Sequence, residues 1–163
     1  MIPRYRLFSQ RIANELADIR RAADKAQQAA HHASLGGADE TFYLDSTALN
    51  LHAFYNGIER LFEWLARELD DAHPRGSSWH REPLEQMTTE VPEVRPAIIS
   101  AETHKVLEEY LRFRHLVRNL YTWDFVPARI AELIARLPAT LQLLANDLAR
   151  FRQFLDTASH ADE

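Results

Sequence analysis

Apolar residues recur every three or four positions through most of the chain, and the runs are separated by glycine, proline or short polar stretches. That period predicts helices throughout. The first run, from Arg4 to about Ala33, sets Leu7, Ile12, Leu16 and Ile19 among Arg, Glu and Asp, and Ser34-Leu35-Gly36-Gly37 stops it. The second begins near Glu40 and carries Leu44, Leu51, Tyr55, Ile58, Phe62, Leu65 and Leu69 on one face, a long amphipathic helix. Asp70 to Ser78 is rich in turn formers, Pro83 to Met87 predicts a short helix, and Pro92 and Pro96 predict extended chain after it.

Ser100 has the chemistry of an N-cap, with Glu102 favourable in the first turn, for a helix reaching about Tyr121 through Leu107, Leu111 and Val117. Trp123 and Asp124 mark a corner. Asp124 is placed to cap a last helix with Pro127 in its first turn and Ile130, Leu133, Ile134, Leu137, Leu141, Leu144, Leu148, Phe151 and Leu155 along one face. Pro138 inside that run predicts a kink, and Thr157 to Glu163 is expected to fray. The simplest packing is all-α: an antiparallel bundle of four long helices plus a short one, forming a single domain over residues 1–163.

Composition narrows the chemistry. The 163 residues are 46% hydrophobic with no Cys, which excludes disulfides, thiolate metal sites and cysteine nucleophiles and fits a reducing cytoplasm. Charged residues interrupt every apolar run before membrane length, and no signal-peptide core follows Met1, so a soluble, unprocessed protein with no membrane partner is expected. A net charge of −5 argues against a surface basic all over, so any nucleic-acid contact must be local. Of the 19 basic residues only Lys25 and Lys105 are Lys. Arg suits planar capture of phosphate or carboxylate, although a compositional bias gives the same excess. The His residues show no H-E-x-x-H or paired E-x-x-H spacing, and Gly36-Gly37 lacks a following Lys-Ser or Lys-Thr, so neither a metal site nor a phosphate loop is expected.

The unusual segment is Leu111 to Tyr121. Leu107, Tyr110, Arg114, Val117 and Tyr121 follow helical steps, which puts a charged Arg114 on the stripe that faces other helices or a partner. Either a carboxylate such as Glu59 or Glu63 neutralises it there, or it serves an anion site. Arg118, one turn on with its base about 6 Å away, favours the anion site, since two guanidinium groups repel unless an anion joins them.

Arg114 through Tyr121 resembles the R-x-x-x-x-H-x-Y signature of the HEPN superfamily, in particular its HepT-like ribonuclease toxins. The resemblance extends to Tyr55 through Phe62, Trp79 through Met87 and Arg95 through Thr103, and covers helix two through the last helix. It implies a homodimer in which Arg and His residues of two protomers meet in a composite cleft that cuts RNA without metal or cofactor. It further implies a minimal nucleotidyltransferase antitoxin, in a type II or type VII-like pair, that adenylylates the tyrosine matching Tyr121. Arg114 matches the family arginine and His115 the polar residue that follows it.

The departure is Asn119, which stands where the signature has its histidine. An amide cannot titrate near neutral pH, and the general acid–base help lost with it is worth on the order of 100- to 10,000-fold. His115 or Arg118 would have to take that work over. His115 also fits a solvated helix histidine, Glu59 either orients Arg114 or pairs at the surface with Arg60, and Tyr121 is either the adenylate acceptor or a core tyrosine. Trp79 and His80 read as anchors of the long connection. Three functions follow: a ribonuclease toxin, a weakened or inactive HEPN protein that binds nucleic acid or a partner, and a plain helical-bundle dimer.

Overall fold

A computed structural model describes residues 3–70, 82–119 and 126–160 of the protein. Five helices follow one another: α1 (Pro3–Ser34), α2 (Glu40–Asp70), α3 (Pro83–Gln86), α4 (Ala101–Asn119) and α5 (Pro127–His160), with no strand among the described residues. α1 packs on α2 and α5, α2 on α4, and α4 on α5, so the four long helices close a ring around one core.

Local chemistry sets the helix ends as expected. Gly36 and Gly37 take φ of 70° and 94°, left-handed values that cost a β-carbon but not glycine, and they end α1. Ser100 caps α4 by accepting a hydrogen bond from the Thr103 amide at 3.2 Å. Asp147 of α5 reinforces that cap, accepting from the Ser100 amide at 2.8 Å and the Thr103 hydroxyl at 2.6 Å. The expected Asp124 cap lies outside the described residues. Pro138 sits inside α5, which continues as one helix.

Three expectations are corrected. Leu7 is 69% exposed while Phe8 and Ser9 are buried, so Phe8 takes the place expected of Leu7 on the inward face, which Ile12 and Ile19 continue as expected with Leu16 partly buried, followed by Ala23, Ala26, Ala29 and Ala33. Small alanines let α1 lie close to α2, and a β-carbon at Gly57 would come within 3.0 Å of Ile19 Cγ1. The chain remains helical past Thr157 as far as His160, because Ser159 is buried and hydrogen-bonds back to the Asp156 carbonyl.

The segment around Pro92 is a tight turn rather than extended chain. The Val91 carbonyl accepts from both Val94 and Arg95 amides, and Glu93 holds a φ of 64°. What pins it is Arg95, whose side chain is fully buried. Its Nε and Nη2 bond the two Asp70 carboxylate oxygens at 2.7 and 2.6 Å, and its Nη1 reaches the carbonyls of Thr89 and Pro96. A planar fork on a carboxylate thus ties the α3–α4 connection to the end of α2.

Candidate functional site around Arg114

α4 meets α2 through Tyr110, which packs edge-on to Phe54 with ring centres 5.3 Å apart and donates its hydroxyl to the Leu133 carbonyl of α5 at 2.8 Å. That three-helix junction fixes the rotation of α4. Leu107, Tyr110 and Phe113 are buried, and Arg114, one turn beyond Tyr110, is carried inward with them and is 7% exposed. A buried guanidinium requires a partner. Glu59 of α2 supplies it, forming an ion pair from Oε2 to Arg114 Nη1. Glu63, the other carboxylate considered, is exposed.

Tyr55 lies one helical turn before Glu59. The Arg114 guanidinium carbon is 5.9 Å from its ring centre, and its side chain is among the largest that are fully buried. Two polar atoms in this contact have no hydrogen-bond partner among the described residues: the Tyr55 hydroxyl and Arg114 Nε. Burial raises the Tyr55 pKa far above the ordinary tyrosine value, and the carboxylates of Glu59, Glu82 and Glu108 add to the rise while Arg114 opposes it. The hydroxyl therefore keeps its proton and remains a donor at every physiological pH.

His115 follows Arg114 and is exposed. Arg118 and Asn119 continue the α4 backbone, but their side chains, like all of Tyr121, Trp79 and His80, lie outside the described residues. Of the residues named from the sequence, the structure thus joins Arg114 to Glu59. Sequence reasoning placed Tyr55 on the core stripe and missed its polar end. The available signal was its spacing, four residues before Glu59. Among the described residues no group of three or more His, Asp or Glu is placed to hold a metal ion, and no helix is long and apolar enough to cross a membrane.

A family model described as HepT-like protein matches residues 46–155, from the first turns of α2 to near the end of α5. The chain belongs to the HepT-like family. This is a HEPN-superfamily family, and the matched span agrees with the resemblance carried by the α2 to α5 phrases. The HepT-like match includes Tyr55, Glu59 and Arg114 and leaves α1 outside it. No curated protein and no solved structure matches the chain.

Proposed function

We propose that this HepT-like protein is a metal-independent endoribonuclease toxin, acting as a homodimer and neutralised by a minimal nucleotidyltransferase antitoxin. The observation that carries the reading is Arg114, a buried guanidinium in a HEPN-type signature, held by one carboxylate and with its Nε unused. In the reaction the ribose 2′-hydroxyl gives up its proton and attacks phosphorus. The bond to the 5′-oxygen breaks, and the products are a 2′,3′-cyclic phosphate and a 5′-hydroxyl. Arg114 stabilises the charge that builds on the phosphoryl oxygens, Arg118 assists, and His115 carries the proton. DNA lacks the 2′-hydroxyl and is spared.

Dimer formation suits the geometry, because exposed His115 enters a cleft only when a second surface closes over it. Adenylylation of Tyr121 by the antitoxin would place a phosphodiester charge near Arg114 and Arg118 and occupy the place of the RNA phosphate.

Asn119 favours a second reading, in which the same cleft binds RNA or a partner and cuts weakly or not at all. The test is RNA cleavage by the purified protein, by Arg114→Ala and by the charge-retaining Arg114→Lys, each checked for folding. Loss of cleavage in both variants supports the ribonuclease, and unchanged cleavage in Arg114→Ala rejects it. RNA binding without cleavage in the parent, with cleavage gained in Asn119→His, selects the second reading. A strict monomer in light scattering at micromolar concentration removes the composite cleft. Intact mass after co-expression with the nucleotidyltransferase tests the switch, and an adenylate adduct that persists in Tyr121→Phe excludes Tyr121.

A further inference from the structure

The contact around Arg114 leaves two buried donors without an acceptor among the described residues, one on Arg114 itself and one on Tyr55, whose ring lies by the Arg114 guanidinium. Buried polar atoms are rarely left unpaired, since a donor removed from water without a new partner is costly. The Tyr55 hydroxyl is one and Arg114 Nε is the other. Tyr55 and Glu59 stand four residues apart on α2, so their side chains rise from adjacent turns of one face. The Glu59 carboxylate adds to the rise that burial imposes on the Tyr55 pKa.

An anion arriving at Arg114 competes with Glu59, whose side chain is only 16% exposed. Once displaced, that carboxylate needs another donor, or the exchange trades one ion pair for a second and strands a charge. A neutral hydroxyl on the residue one turn away, without a partner among the described residues, meets the need.

We propose that Tyr55 is a positioning residue of the Arg114 site, its hydroxyl taking over the Glu59 carboxylate when a phosphate oxygen replaces it on Arg114. This rests on the function proposed above. Tyr55 acts through Glu59 and does not touch the RNA. Its hydroxyl has no partner among the described residues, so its removal should leave stability unchanged or slightly raised.

The test measures affinity for a short, labelled single-stranded RNA of mixed sequence, by fluorescence anisotropy, alongside thermal melting. The proteins are the parent, Tyr55→Phe, Glu59→Gln, the double variant and Arg114→Ala. A hydrogen bond to a charged group sets the expected loss in Tyr55→Phe at about tenfold in affinity, with no fall in melting temperature. In the Glu59→Gln background, where no charge has to be rehoused, the same change should cost less than about twofold. Equal losses in the two backgrounds overturn the proposal, as does Tyr55→Phe binding like the parent while Arg114→Ala does not bind. RNA binding that ignores Arg114 defeats the proposed function and this inference with it.

Discussion

Glu59 of α2 and Arg114 of α4 neutralise each other across a helix contact in which their side chains are 16% and 9% exposed. Such a pair is weak evidence for stability as a whole, because desolvation offsets much of the attraction. Removing one member is a different matter, since the other is left charged and buried. Glu59→Ala should cost about 3 kcal/mol, and Glu59→Gln, which keeps an acceptor for Nη1, clearly less. Urea unfolding followed by circular dichroism measures both, and equal costs would show that the retained acceptor contributes nothing and the lost charge accounts for the whole effect.

The Arg95–Asp70 fork should matter at least as much. Asp70 also accepts from Gln86 Nε2 at 2.8 Å, so one carboxylate holds both α3 and the turn that follows it. Asp70→Asn leaves a fully buried guanidinium without its counter-charge and should cost about 3–5 kcal/mol. Hydrogen exchange should rise first across residues 82–100, before α1 and α5 respond, and uniform loosening would contradict the local role.

Gly57 tests the closeness of α1 and α2. Alanine gains about 1 kcal/mol of helix propensity there, but its β-carbon meets Ile19 Cγ1 at 3.0 Å in a core where Ile19 is 2% exposed. Crowding should win, and Gly57→Ala should destabilise by about 1 kcal/mol. In Ile19→Ala, which removes Cγ1, the same change should become stabilising. A sign that does not reverse would place the constraint elsewhere.

Alkaline pH should unfold the protein through its buried tyrosines. Burial pushes the Tyr110 hydroxyl up to about 12 from 10.0, and Tyr55 moves further in the same direction. Above pH 10 the unfolded chain loses phenolic protons that the folded chain retains. The unfolded state then binds fewer protons, and stability falls with pH by about 1.4 kcal/mol per unit for each such tyrosine, until pH reaches the folded pKa. Tyrosinate absorbance should show these two groups titrating only with the loss of helix. Tyr55→Phe should shift the transition to higher pH.

The helices themselves were written locally. The spacing of apolar residues, the Gly36-Gly37 stop, the Ser100 cap and Pro127 in a first turn act within a few residues of one another, and all appear where the pattern puts them. Arg114 was legible too, because a charge on an apolar stripe stands out at a single position, and the HepT-like phrases lie along the chain. The tertiary structure decided everything that depends on how one helix is rotated and slid against another. It chose Phe8 over Leu7 for the core and Glu59 over Glu63 for Arg114, brought Asp147 to a cap 47 residues away, and put Asp70 under Arg95. It also set the Tyr55 ring by the Arg114 guanidinium and left its hydroxyl without a partner among the described residues. A hydrophobic period records which face of a helix turns inward; the partner met there depends on axial register and packing between segments, which no single stretch of sequence encodes.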